Sequence, residues 1–69
     1  MADLRKLAKD AIRAAGGDQV VADIYDPPIR RQAVNGWPKV PPARVPKLAI
    51  RSGKRPDQIR PDIFGAAAG

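Results

Sequence analysis

All eight prolines of this 69-residue chain follow residue 26. Proline lacks the backbone N–H that a helix interior needs, and its ring clashes with the preceding turn. The prolines at 27, 28, 38, 41, 42, 46, 56 and 61 therefore divide the later part of the chain into short segments. A helix of several uninterrupted turns fits only before them.

Residues 3–15 carry the clearest helical pattern. Leu4, Leu7, Ala8, Ala11, Ile12 and Ala15 recur at helical spacing and form one apolar stripe. Asp3 suits the N-cap, where a short carboxylate satisfies free N–H groups of the first turn. Gly16-Gly17 ends the helix, because glycine accepts the left-handed backbone at a helix C-terminus. A second short helix is expected over 18–25, capped by Asp18, with Val20, Val21, Ala22, Ile24 and Tyr25 apolar and Gln19 in its first turn.

Asp26-Pro27-Pro28 then breaks the chain, with Asp26 available to cap the next helix. The stretch from Ile29 to Trp37 reads as a third helix. Its apolar residues Ile29, Ala33, Val34 and Trp37 share one face, and Arg30, Arg31, Gln32 and Asn35 occupy the other. Gly36 weakens this helix and Pro38 stops it. Trp37 is expected to plug a small core from the helix end.

Residues 38–42 form a stiff, extended connection. A fourth helix lies within 42–52, regular from near Pro46, with Val45, Leu48, Ala49 and Ser52 inward and Gly53 at its end. Residues 56–59 make one helical turn. Arg60 to Phe64 is expected to be extended, with Ile59, Ile63 and Phe64 as apolar anchors, and residues 65–69 to fray.

Charge narrows the function. The net charge is +6, and it is segregated. Residues 1–27 hold four basic and five acidic side chains, whereas residues 28–60 hold nine basic ones and a single acid, Asp57. Such a half-chain is suited to a polyanion, and nucleic acid is the foremost one. Arg, Gln and Asn on the outer face of the third helix are the side chains best matched to base edges in a DNA major groove. The competing reading of that helix is an ordinary amphipathic surface helix.

Other classes fit less well. The chain has no Cys and no His, its one serine (Ser52) has no base beside it, and the carboxylates are scattered. No enzyme activity, cofactor or metal site is expected. No long apolar run or signal-peptide core is visible, so a cytoplasmic location, in a bacterial cytoplasm or nucleoid, is expected, with no membrane partner. Single-stranded RNA readers offer exposed aromatics, and this chain has one Trp, one Tyr and one Phe.

The order of elements is that of a helix-turn-helix domain, all-α and compact, of four to five short helices with an extended C-terminal tail. Ala14-Ala15-Gly16-Gly17, Ala22, the run Gln32-Ala33-Val34-Asn35-Gly36-Trp37, Val40-Pro41, Arg44-Val45, Ser52-Gly53 and the tail Ile59-Arg60-Pro61-Asp62-Ile63-Phe64 resemble the Cro/YdaS-type family. These are small phage and prophage-derived transcriptional regulators, and the resemblance covers about residues 4–64. The Gln-Ala-Val-x-x-Trp core and the Arg-Pro-Asp-Ile-Phe tail are its most specific parts.

The resemblance implies a repressor that binds a double-stranded DNA operator as a weak or DNA-induced homodimer. Carried over by position, Arg31, Gln32 and Asn35 read bases, Arg30 contacts a base or phosphate at the helix start, and Gln19 touches the backbone. Lys39, Arg44, Lys47, Arg51 and Lys54 are the pool for phosphate contacts. Ile59, Ile63 and Phe64 are too apolar to stand in water, so the tail either folds back on its own core or serves as the dimer or partner surface. Two features depart from the family pattern. The Asp26-Pro27-Pro28 turn is longer than the usual glycine-containing one. Arg30 stands where a small polar cap is usual, which would start the third helix as early as Asp26-Pro27.

Two further readings stay open on sequence grounds. One is an antitoxin-like protein-interaction module, with the tail as its partner surface and DNA binding for autoregulation only. The other is a basic protein that coats DNA without reading it, against which Gln32 and Asn35 argue.

Overall fold

The computed structural model describes residues 3–65, and among these the chain is all-α. Of the residues expected to fray, Gly65 closes a helical turn and 66–69 lie outside the described residues.

Helix α1 spans Leu4–Ala15. The Asp3 carboxylate accepts from the backbone N–H groups of Arg5 and Lys6 at 3.1 and 3.2 Å, which caps the first turn. At the other end Gly16 N–H donates to the Arg13 carbonyl and Gly17 N–H to that of Ile12, the crossed pair of a Schellman turn. Gly16 holds φ 120° for this purpose, and an added Cβ there would meet Val20 Cγ2 at 3.2 Å. The inner stripe buries Ala8, Ala11, Ile12 and Ala15.

Helix α2 spans Asp18–Asp23 and is shorter than the 18–25 expected. Gly17 takes the cap position, so Asp18 is the first helical residue and not the cap. Tyr25 leaves the helix to become buried beneath the next connection. Its hydroxyl donates to the Arg44 carbonyl at 2.7 Å, and its ring lies 4.7 Å from the Arg44 guanidinium and edge-on to Trp37.

The chain returns toward α2 through Ile29, whose N–H donates to the Ala22 carbonyl at 3.0 Å. Helix α3 is confined to Arg31–Asn35, where 29–37 was expected. Pro27-Pro28 favours extended backbone upstream. Arg30 is still extended at φ −80° and ψ 142°, so it, not Asp26, occupies the cap position. Downstream, Pro38 pushes Trp37 away from helical geometry. The face also differs from expectation at one residue. Val34 is buried and Ile29 and Trp37 pack against the core, but Ala33 faces outward.

A 3₁₀ turn over Pro42–Arg44 leads into α4, Val45–Ser52. The regular helix therefore starts close to Pro46, which lies in its first turn where a missing N–H is harmless. Val45, Leu48 and Ala49 face inward, and Gly53 ends the helix at φ 75°. Arg51 Nε donates to the Ala15 carbonyl at 3.3 Å and so ties α4 to the last turn of α1. Helix α5 is the single turn Pro56–Ile59, with the Gln58 side chain accepting from the Arg55 N–H at 2.8 Å.

The segment after α5 is not extended. It closes into a wide helical turn over Pro61–Gly65, with the N–H groups of Ile63 and Phe64 both donating to the Arg60 carbonyl. The cause is Arg60, which is only 4% exposed. Its Nη1 donates to the Val40 carbonyl at 2.7 Å, and Nε and Nη2 grip the two oxygens of Asp62 at 2.8 and 2.6 Å. A fork gripping a carboxylate two residues along bends the chain between them. The bend redistributes the apolar anchors. Ile59 is fully buried, Phe64 packs on the core edge, and Ile63 is 41% exposed. Ile59 therefore belongs to the core and not to a partner surface.

The core that results is small. Leu48, Ile59, Val21, Val34, Val40 and Val45 are its largest fully buried side chains, with alanines between them. Each such aliphatic side chain contributes about 1.5–3 kcal/mol through removal from water.

Arg60→Leu keeps apolar bulk but strands the buried Val40 carbonyl, and it should lower stability in denaturant unfolding by about 1–3 kcal/mol. Arg60 also holds the Asp62 carboxyl below the usual carboxylate range, through its hydrogen bonds first and its charge second. The stabilisation this gives is complete above about pH 4 and is lost as pH falls through the folded value. The stability gap between wild type and Asp62→Asn should accordingly be present at neutral pH and close on acidification. Burial pushes the Tyr25 hydroxyl up to about 12, against the opposing charge of Arg44. Its contribution is full below about pH 10, the unfolded value, and is lost as pH rises through the folded one. Tyr25 is the one tyrosine in the chain, so a phenolate absorbance titration should report this rise directly, with a midpoint near 12 that returns toward 10 in denaturant.

Candidate nucleic-acid interface

Helix α3 is anchored from one side. Val34 enters the core while Ile29 and Trp37 pack at its two ends. Five residues allow about one and a half turns, so few side chains can be presented outward. These are Arg31, Gln32, Ala33 and Asn35, all exposed, with Arg30 exposed at the cap position.

Arg31, Gln32 and Asn35 line one shallow groove of about 330 Å³, together with Asp18 from α2. The three expected base readers are thus brought together. Arg30 lies just outside the groove at the start of the helix. A second groove, of about 280 Å³, lies between α1 and α3 and is walled by Lys9, Arg13, Asp18, Asn35 and Trp37. Asp18 and Asn35 border both grooves. Asn35 Nδ2 donates to Asp18 Oδ2 at 3.0 Å, bridging the first turn of α2 to the last turn of α3.

The expected backbone contacts fare differently. Gln19 is exposed on α2, but its side-chain amide donates to Asp23 one turn on, at 3.1 Å. Lys39, Arg44, Lys47, Arg51 and Lys54 line neither groove. Arg44 lies over the Tyr25 ring, and Arg51 is bonded to α1. Lys39 and Lys47 are exposed, and Lys54 is half-buried behind Gly53.

Sequence reasoning passed over three residues that the fold brings to this surface. Lys9 and Arg13, one turn apart on α1, belong by sequence to the solvated side of that helix, from which one or two charges are expected to reach a phosphate without the pattern saying which. Their i, i+4 spacing was the available signal, since it puts both on one strip of the helix. Asp18 read as a helix cap, and nothing local shows that its carboxylate crosses to another helix.

The arrangement offers an Arg fork and two carboxamides on a rigid, outward surface, with two cations on the neighbouring wall and one carboxylate between them. Arg presents paired donors, and each carboxamide presents an NH₂ donor group and a carbonyl acceptor side by side. Such a set can distinguish base edges by their pattern of donors and acceptors. Among the described residues no helix is long and apolar enough to cross a membrane. Comparisons with protein-family models, with curated proteins and with solved structures find no match, so the interpretation of this surface rests on its own chemistry.

Proposed function

We propose that this chain is a sequence-specific regulator that binds duplex DNA, a Cro-like repressor that lays α3 in the major groove of an operator. The observation that carries this reading is the single groove shared by Arg31, Gln32 and Asn35, on a helix whose opposite side is locked into the core by Val34. Base reading needs side chains of this donor–acceptor chemistry on a rigid support. The +6 net charge supplies the attraction that brings any DNA to the surface.

In this mechanism Arg31, Gln32 and Asn35 read bases and Arg30 meets the backbone or a base at the edge. Lys9 and Arg13 supply phosphate contacts along one wall, with Lys39 and Lys47 as further candidates. Arg44 and Arg51, held by Tyr25 and Ala15, add charge at longer range. Two copies, meeting weakly or only on DNA, place their α3 helices in successive major grooves about 34 Å apart. Repression follows from occupying the promoter.

One observation favours a second reading. Ile50 on the outer face of α4 is 84% exposed, next to the exposed Lys47 and Arg51. With Ile63 of the tail, 41% exposed, it is the apolar surface that an antitoxin-like interaction module would offer a protein partner, with DNA binding for autoregulation.

Selection of bound duplexes from a random pool, at about physiological salt to suppress charge-driven binding, separates a base-reading regulator from a basic protein that only coats DNA. A regulator enriches a palindrome or a half-site, and a coating protein enriches nothing. On the enriched site Arg31→Ala should cost about 1–3 kcal/mol, and less on random DNA. Lys9→Ala should weaken both kinds of site alike and reduce the salt slope by about 1. Equal losses on operator and random DNA for Arg31→Ala would remove it from the base-reading set.

A further inference from the structure

The hydrogen bond from Asn35 to Asp18 lies where the two grooves meet, and it constrains what Asn35 can offer. A carboxylate only accepts hydrogen bonds. The Asn35 amide must therefore turn its nitrogen toward Asp18, which leaves Oδ1 directed away from it. One amide hydrogen is used in this bond and one remains. A free asparagine can flip its amide and serve either hydrogen-bonding sense. Here the flip is decided before any ligand arrives.

Asp18 is an acid in the first turn of α2, where its charge suits the helix dipole, but it is not the cap. It makes no capping hydrogen bond, and Gly17 holds the cap position of α2. Its side chain bonds across to a different helix. The groove it shares with Arg31, Gln32 and Asn35 carries acceptors on both sides of the Asn35 amide nitrogen, Oδ1 on one and the carboxylate oxygens on the other. In a major groove, an acceptor-rich spot suits a base that displays an exocyclic amine there. Adenine shows N6–H₂ beside the N7 acceptor, and cytosine shows N4–H₂. Guanine and thymine show carbonyl oxygens instead, which the carboxylate repels.

We propose that Asp18 is a positioning residue for base recognition. It fixes the Asn35 amide so that this spot accepts a base bearing an exocyclic amine, adenine before cytosine, and disfavours guanine and thymine. The inference rests on the reading of α3 as the DNA-contacting helix. Adenine leads because it satisfies both free valences of Asn35, with N6–H₂ donating to Oδ1 and N7 accepting the remaining amide hydrogen. The negative charge has a second effect. It weakens the approach of any phosphate to this part of the surface, whatever the sequence.

The test repeats the duplex selection with the full chain as wild type, Asn35→Ala, Asp18→Ala and Asp18→Asn, with thermal unfolding of each variant alongside. The wild type should prefer adenine, or cytosine, at one position of the half-site, and Asn35→Ala should lose that preference. Asp18→Ala should flatten the same position by about tenfold in discrimination while other positions hold. Asp18→Asn should restore the preference, because its carboxamide oxygen still accepts from Asn35. Both Asp18 variants should bind random DNA about two- to fivefold more tightly, having lost one negative charge near the phosphates. Asp18→Ser, polar but too short to reach Asn35, replaces the alanine variant if that one loses its fold, and should flatten the same position. Retention of the wild-type preference by Asp18→Ala or Asp18→Ser overturns the inference and leaves the DNA reading intact. So does a wild-type preference for guanine or thymine at the position lost in Asn35→Ala. A wild type that enriches no sequence overturns the DNA reading itself, and this inference with it.

Discussion

The hydroxyl of Tyr25 meets the Arg44 carbonyl across 19 residues of sequence, and the placement of α3 depends on that contact. Tyr25 leaves α2 at the point where the chain must turn. Its ring is held by the Arg44 guanidinium and by the edge of Trp37, so both ends of the segment that carries α3 are fastened to one aromatic. A chain of this size buries only about 60% of the surface that its unfolded form exposes. Its core is built largely of alanine and valine, which leaves little apolar area to hold loops in place. Polar ties between distant segments make up the difference. Tyr25 joins the helix-connecting loop to the 3₁₀ turn, Arg60 joins the end of α5 to Val40, and Arg51 joins α4 to the end of α1.

Those ties change the meaning of the charge. Counted along the sequence, the basic half-chain looks like one continuous surface for a polyanion. In the fold, Arg60 is inside, Arg44 covers an aromatic ring, Arg51 is bonded to a carbonyl and Arg55 pairs with Asp57 at 3.0 Å. The charges beside the α3 groove come partly from α1, in the half that looked balanced. Arginine suits structural work of this kind, because its planar fork can hold a carbonyl and a carboxylate at once while its alkyl stem packs.

What was legible in the sequence was local. The stripe and caps of α1, the displacement of α4 to Pro46, the one-turn α5 and the outward set Arg31, Gln32 and Asn35 all follow from spacing, glycine and proline. What was not legible depended on partners far along the chain. Ile29 and Trp37 have helical spacing, but a backbone bond to Ala22 and a proline at 38 hold them outside α3. Arg60 sits among apolar residues that suggest an extended anchor strip, and only Asp62 two positions later hints that the chain bends so that a buried guanidinium can grip a carboxylate at the surface. Asp18 has a good local role as a helix cap. The tertiary contact with Asn35 is the one it takes.

That contact also bears on how a strongly basic domain can be selective. A surface of cations alone is attracted to every phosphate, and its affinity for one duplex says little about its affinity for another. Selectivity requires interactions whose free energy differs between sequences. A carboxylate at the reading surface serves this in two ways at once. It lowers the part of the attraction that all duplexes share, and it commits a neighbouring amide to one orientation, so that a mismatched base meets an acceptor facing an acceptor. The rigidity of the support matters equally. On the proposed reading, an amide on a loop could turn to fit the wrong base at small cost, whereas Asn35 is held by the buried Val34 on the same helix and by Asp18 on α2. On this argument the acid is no defect in a basic interface. On the proposed reading of α3, it converts general attraction into discrimination.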